Sequence, residues 1–347
     1  MAALKIGING FGRIGRLVAR AMMARKGQFD LVAINDVGSS ARVHAHLLKY
    51  DSVHGNFKGE ISHDEKSMTV NGDRVLVLNE TNPAKLPWKD LGATIVIEAT
   101  GKFTGRAADG KPGYDDHIKA GAKKVILSAP AKDQIDATVV MGVNDEILKK
   151  EHTFVSNGSC TTNCLAPVIK VLVDNPDVFG AKIEGFMTTV HAYTNDQRIL
   201  DMSHGEDLLR ARAAAANIIP SSTGAAKAIG LVVPNPNVKL DGFAFRVPVM
   251  DGSVVDLTIA LEKQVDVATV NAVFKKASES SRLKGILEYC DEPRVSSDII
   301  QNPHSSIFDS TRTMVKGNVL KIVSWYDNEW GFSNRVCDLA VRLATMA

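Results

Sequence analysis

Residues 4 to 36 constrain the fold more than any other stretch. Leu4-Lys5-Ile6-Gly7-Ile8-Asn9 is an apolar run of strand length that stops at Gly10. Residues 13 to 24 place Ile14, Leu17, Val18, Ala21 and Met22 at helical spacing. A second strand-like run, Asp30 to Asp36, ends in a carboxylate. Strand, helix and strand within about 30 residues is the length of a βαβ unit. The turn between the first strand and the helix reads Gly10-Phe11-Gly12-Arg13-Ile14-Gly15, a GxGxxG, and Asp36 follows about 20 residues later. A lone GxGxxG is a weak signal. Set between a strand and a helix, with the acid at this spacing, it predicts a dinucleotide site rather than a tight turn that binds nothing. The glycines admit the pyrophosphate to the helix N-terminus, and Asp36 accepts from the adenosine ribose hydroxyls. That carboxylate disfavours a 2′-phosphate, so NAD is the first choice. The small residues Val37-Gly38-Ser39-Ser40 leave room for one, which keeps NADP open.

The rest of the chain reads as two domains, as its 347 residues imply. Residues 57 to 78 look like short strands broken at Asn71-Gly72, a hairpin signal. Thr94–Glu98 and Lys124–Ser128 look like buried parallel strands, with a helix between them near residues 113 to 121. Ligand sites in such sheets lie at the strand carboxyl ends. After Cys160 the pattern changes. A helix is expected over 160–174, then longer strands over 185–193, 239–248, 253–262 and 320–325. Their alternation predicts an antiparallel sheet with one face covered by helices such as 267–281. Residues 194–216 form a long polar insert, and long ordered inserts are usually functional. The fold expected is α/β: a Rossmann domain over 1–158, an α+β catalytic domain with a mainly antiparallel sheet over 159–327, and a C-terminal helix, 328–347, packing back on the first.

Bulk properties narrow the function. A net charge of +2 is too small to argue for a nucleic-acid or anionic-membrane partner, although it leaves room for a local basic pocket, and no specific nucleic acid or membrane is expected. No run of about 18 apolar residues exists to span a membrane. The opening residues lack a signal-peptide pattern, and four cysteines without framework spacing fit a reducing, cytoplasmic compartment.

Two of those cysteines lie in Ser156-Asn157-Gly158-Ser159-Cys160-Thr161-Thr162-Asn163-Cys164. The capping residues around Cys160 place it at the start of a helix, where a thiol is acidified. Cys164 then sits one turn along, poorly placed for an unstrained disulfide. A C-x3-C pair lacks the usual zinc spacing, and no metal is expected. A buried, inert Cys160 remains the bland alternative. His191, near the end of an apolar strand, is a candidate base or a satisfied core histidine. Spacing alone does not choose it among nine histidines.

The stretches "INGFGRIGR", "SNGSCTTNCLAP", "TTVHAYTNDQ", "RARAAAANIIPSSTGAAKAIG" and "SWYDNEWGFSNR" resemble the phosphorylating glyceraldehyde-3-phosphate dehydrogenase family, in order and over essentially the whole chain. The resemblance implies a homotetramer in which Cys160 attacks an aldehyde and His191 handles the proton. The hemithioacetal is oxidised by NAD to a thioester, which inorganic phosphate cleaves to 1,3-bisphosphoglycerate. It implies substrate-phosphate contacts at Thr194, Asp196, Arg210 and Arg246, and attacking-phosphate contacts at Ser159, Thr161, Thr223 and Gly224. It implies cofactor contacts at Asn9, Gly10, Gly12, Arg13, Ile14, Asp36, Thr100, Phe103, Ser128, Asn195 and Asn328. Without the resemblance, each arginine reads more readily as a solvated surface charge.

Departures from the family pattern are Gly158 for the commoner alanine, Leu209 for an arginine, Thr81 for an arginine over the adenine, and a longer 105–117 segment. Met202-Ser203 replaces the Leu-Pro pair of strictly NAD-dependent members, so Asp36 and Ser203 pull opposite ways on NAD against NADP. Erythrose-4-phosphate dehydrogenase, a relative, lacks the counterparts of Thr194 and Gly224. A binding-only role or a thiol hydrolase explains less, because Cys160, His191 and the glycine loop are all intact.

Overall fold

The computed structural model describes residues 3–346. The chain divides into two compact units. The first comprises residues up to Val139, Glu146–Gly158 and Ser333 onward; the second comprises Val140–Asp145 and Ser159–Phe332. Against the expected division, 140–145 and 328–332 belong to the second unit.

The first unit is built on a nine-stranded sheet: β1 (Leu4–Asn9), β2 (Phe29–Asn35), β3 (Ile61–His63), β4 (Ser67–Val70), β5 (Asp73–Leu78), β6 (Ile95–Glu98), β7 (Lys124–Leu127), β8 (Ala137–Thr138) and β9 (Phe154–Ser156). Strands β5, β2, β1, β6, β7 and β9 lie side by side and run parallel. Helix α1 (Arg13–Met23) buries Leu17, Val18, Ala21 and Met22, the stripe its periodicity requires. Helices α2 (Ala41–Lys49), α3 (Trp88–Leu91) and α4 (Asp116–Lys119) complete the connections. Strands β4 and β5 form a hairpin closed by Asn71-Gly72, both at positive φ, as a two-residue turn of that sequence demands.

One expected helix is much shorter than its pattern. Of residues 113–121 only Asp116–Lys119 are helical, and Gly121, at φ +101°, ends the segment. The longer 105–117 segment folds as a tight bridge between Ala108 and Lys111 around Asp109-Gly110.

The second unit opens with α5 (Cys160–Val173) and α6 (Pro176–Phe179). Its eight-stranded sheet contains β10 (Ile183–Ala192), β11 (Ile219–Ser222), β12 (Val238–Val247), β13 (Ser253–Leu261), β14 (Leu287–Cys290), β15 (Ser306–Asp309), β16 (Met314–Lys316) and β17 (Val319–Tyr326). Helices α7 (Ala225–Val232) and α8 (Val267–Ser278) join α5 on one face. Most pairs are antiparallel, but β10 and β12 run parallel in register, as do β14 and β15. The parallel pair departs from a purely alternating hairpin reading: the β10-to-β12 connection carries the polar insert, β11 and α7, long enough for a crossover. Helix α9 (Trp330–Ala344) returns from Ser333 onward to the first unit, where Asp338 pairs with Arg25 at 2.6 Å.

Candidate active site

Cys160 opens α5, and Ser159 is its N-cap, accepting from the Thr162 amide at 3.1 Å. The helix therefore starts where the capping residues predicted. Gly158 precedes it at φ +64°. In that left-handed region a Cβ is strained by roughly 1–2 kcal/mol, which favours glycine at this position. Cys160 is packed among protein atoms yet keeps partial solvent exposure. Cys164, one turn on, is fully buried against Ser306 and Ser324, and burial pushes its thiol up to about 12. All four cysteines are free thiols.

Strand alternation brings His191 to Cys160. On β10 the inward positions are Ile183, Met187, Thr189 and His191, facing the α5 side. The His191 Nε2 atom lies 3.4 Å from the Cys160 sulfur. Its Nδ1 lies 2.6 Å from the Ala192 carbonyl oxygen, which only accepts, so Nδ1 carries the proton and Nε2 is bare. Arg246 is register-paired with His191 across the parallel strands β12 and β10, so the two side chains share a face. Its Nη1 lies 3.0 Å from Nδ1 and 3.2 Å from the Ala192 oxygen. With Nδ1 protonated, the guanidinium donates to the oxygen. Burial, and then the Arg246 charge, push the imidazole down to about 3. Burial pushes the Cys160 thiol up, against the pull of Arg246 and of hydrogen bonds at the helix start. The resting pair is thus a neutral thiol facing a neutral, correctly oriented base.

The anion-holding candidates all lie in the second unit, and Arg246 and Thr194 are the ones tied to this pair. Thr194 Oγ1 lies 3.5 Å from Arg246 Nη1. Arg210 is held by Asp196 at 2.7 Å and Asp207 at 3.3 Å, and donates to Ser221 Oγ. Asn195 and Gly224 are exposed, and Thr223 Oγ1 accepts from the Ala225 amide at the start of α7. Thr161 stands apart from the open site: it is buried, and its hydroxyl is bonded to Tyr326 at 2.9 Å. Asn328 is buried, its amide oxygen accepting from Ser253 Oγ at 2.6 Å, which leaves its NH2 as the donor.

Sequence reasoning missed Tyr326. Its hydroxyl joins Thr161 and Thr189, and its ring packs edge-on against His191 at 5.9 Å. Its signal was present: it is the last inward position of the alternating β17, after Leu320, Ile322 and Ser324.

The glycine loop belongs to the first unit. A Cβ on Gly10, at φ +94°, would sit 2.5 Å from the Thr100 nitrogen, and one on Gly15 would sit 2.0 Å from the Gly10 oxygen. Both glycines are required by the chain's own packing. A Cβ on Gly12, the N-cap of α1, meets no protein atom, so this glycine keeps a space that the chain does not fill. Open space at a helix N-terminus fits a dinucleotide pyrophosphate. Asp36 accepts from the Phe11 amide at 2.6 Å, fixing its carboxylate beside the loop. Arg13 is tied to Asp51 at 2.6 Å, which directs its guanidinium away from a free role. Ile14 and Phe103 are half-buried. Asn9, Thr100 and Ser128 follow or end the parallel strands, and Ser128 donates its amide to the Glu98 carbonyl.

Known proteins carry the same two-part pattern. Residues 4–106 match the family model described as glyceraldehyde 3-phosphate dehydrogenase, NAD binding domain. Residues 159–328 match that described as glyceraldehyde 3-phosphate dehydrogenase, C-terminal domain. A glyceraldehyde-3-phosphate dehydrogenase of Streptomyces coelicolor is 55% identical over 340 residues, covering 97% of this chain and 98% of its own. One of Mycobacterium avium is 54% identical over 342 residues, covering 97% of each. One of Borreliella burgdorferi is 53% identical over 343 residues, covering 98% of this chain and 99% of its own. The chain belongs to the glyceraldehyde-3-phosphate dehydrogenase family, with that family's NAD binding domain followed by its C-terminal domain.

Proposed function

We propose that this chain oxidises glyceraldehyde 3-phosphate, with NAD and inorganic phosphate, to 1,3-bisphosphoglycerate. The observation that carries the mechanism is the bare Nε2 of His191 at 3.4 Å from the Cys160 sulfur. Nε2 takes the thiol proton as sulfur attacks the aldehyde carbon, forming a hemithioacetal. The oxyanion forms beside the Cys160 backbone amide at the N-terminus of α5. The imidazole then holds the hydroxyl proton in position for oxidation. When bound, NAD accepts the hydride that leaves the substrate carbon. The residues that would hold it are Asn9, Gly10, Gly12, Arg13, Ile14, Asp36, Thr100, Phe103 and Ser128 of the first unit, and Asn195 and Asn328 of the second are the further candidates. The thioester on Cys160 is then open to phosphate.

Arg246, Arg210, Thr194 and Asp196 would receive the phosphate the substrate carries. Ser159, Thr161, Thr223 and Gly224 would receive the attacking phosphate; for Thr161 this requires its hydroxyl to exchange Tyr326 for the anion. Thr194 and Gly224 favour this substrate over erythrose 4-phosphate. A steady-state assay with glyceraldehyde 3-phosphate and phosphate tests the proposal: absorbance at 340 nm rises with NAD. No rise with either NAD or NADP overturns it.

A homotetramer fits the exposed apolar residues of the second unit. Phe186 and Leu231 are 71% and 69% exposed, and Ile199, Leu200 and Leu208 of the polar insert are 84%, 74% and 81% exposed. Four reduced thiols suit a reducing compartment such as the cytoplasm. No helix among the described residues is long and apolar enough to cross a membrane.

A further inference from the structure

Beneath the carboxyl end of the first unit's sheet lies a buried polar chain of which the mechanism above uses only Asn9 and Thr100. Asn35, Asn9 and Glu98 are the last residues of three adjacent parallel strands and are directly paired in register. His117 and Trp88 lie behind them, both 0% exposed. Gly7 makes room for the indole: a Cβ there would sit 2.6 Å from the Trp88 ring.

The hydrogen bonds converge on Glu98. The Trp88 indole can only donate, and its Nε1 lies 3.0 Å from His117 Nδ1. That ring nitrogen therefore accepts, and Nε2 of the neutral imidazole carries the proton. Nε2 lies 3.1 Å from Glu98 Oε2 and donates to it. Asn9 Nδ2 donates to the same oxygen at 2.6 Å. The Thr100 amide and hydroxyl donate to Oε1 at 2.8 and 2.5 Å. Asn35 Nδ2 donates to Asn9 Oδ1 at 2.7 Å, and the Glu80 amide donates to Asn35 Oδ1 at 2.8 Å. Asn35 Nδ2 also donates outward, to the Glu80 carbonyl at 2.9 Å, while Glu98 accepts four donors: His117, Asn9 and both groups of Thr100.

We propose that Glu98 is a positioning residue for the dinucleotide, fixing Asn9 and Thr100 through the donors that converge on it, with Trp88 and His117 holding its far side. The proposal rests on the reading of Asn9 and Thr100 as cofactor contacts. Glutamine at position 98 keeps the shape but turns one acceptor into a donor, so two of the four donors then face a donor. In a buried network that conflict is resolved by displacing the movable partners, here the side chains of Asn9 and Thr100.

A double-mutant cycle on NAD affinity, measured by calorimetry on the full chain, separates the two levels. Glu98→Gln is expected to weaken NAD about tenfold in the natural background and less than twofold in an Asn9→Ala background. It is expected to raise KM for NAD with kcat and the aldehyde KM nearly unchanged. An equal loss in both backgrounds, or a lower melting temperature with unchanged NAD affinity, overturns the positioning role. If Asn9→Ala alone leaves NAD affinity unchanged, the cofactor reading of Asn9 fails instead, and the proposal with it. Should Glu98→Gln not fold, Trp88→Phe removes the terminal donor together with one buried ring. It is expected to weaken NAD two- to fivefold, and no change overturns the proposal.

Discussion

His191 faces Cys160 with its unprotonated nitrogen at 3.4 Å, because the Ala192 carbonyl claims the other nitrogen at 2.6 Å. The orientation is set by backbone, so it does not depend on a third acidic side chain. It also separates two jobs. The backbone carbonyl fixes the tautomer. Arg246, on the neighbouring strand, supplies positive charge that opposes protonation of the ring and favours a thiolate.

Replacing His191 by Asn removes the base and keeps a polar group of similar reach. We expect kcat/KM for the aldehyde to fall by roughly 10²- to 10⁴-fold, with NAD binding intact. Iodoacetamide provides a second check. The reactive species is the thiolate, so the natural protein should alkylate faster as pH rises. Because the imidazole is held at about 3, it stays neutral across the working range and adds no inflection near pH 6.

The Gly12→Ala variant separates fold from ligand. Its Cβ meets no protein atom, so the melting temperature should hold within a degree or two, while KM for NAD rises at least tenfold. Gly10→Ala adds a Cβ 2.5 Å from the Thr100 nitrogen and should lower stability itself, by several kcal/mol. Equal melting losses in the two variants would contradict the assignment of Gly12 to a ligand.

Tyr326→Phe deletes one hydroxyl bonded to both Thr161 and Thr189. Two buried hydroxyls then lose a partner, a cost of about 1–3 kcal/mol. Chemical denaturation should show that loss. Turnover should fall severalfold, since the tyrosine ring also braces His191.

Glu288 predicts a pH dependence of stability. His304, Asn302 and Arg294 overcome its burial and hold its carboxyl down at about 2, against an ordinary 4.5. A depressed carboxylate contributes stability above its unfolded value and loses it as pH falls toward the folded one. Between pH 5 and pH 2 the natural protein should therefore lose about 2 kcal/mol more than Glu288→Gln. Parallel acid-denaturation curves would contradict this.

The βαβ start, the Asn71-Gly72 hairpin and the capped Cys160 helix were legible because their causes are local: periodicity, positive-φ residues and a side-chain cap. The helix expected over 113–121 was overextended at both ends: it starts only at Asp116, and past Lys119 Gly121, at φ +101°, stops it, which apolar spacing does not register. The parallel pairing of β10 with β12 was not legible, since it depends on where a long connection returns. That pairing is what puts Arg246 beside His191. Tyr326, and the chain from Trp88 to Glu98, were missed for the same reason. Their partners lie far away in sequence, and a buried hydrogen bond leaves no mark on spacing. Gly158 ran the other way: it had no reason in the sequence alone and acquired one from its φ of +64°.

The proposed turnover is a covalent relay through Cys160 that phosphate completes. A rapid-mixing experiment with enzyme, NAD and glyceraldehyde 3-phosphate, first without phosphate, tests it most directly. The account predicts a burst of about one NADH per subunit, then a stall that added phosphate relieves, and no burst in Cys160→Ser. Sustained NADH formation without phosphate, or a full burst in Cys160→Ser, would contradict it.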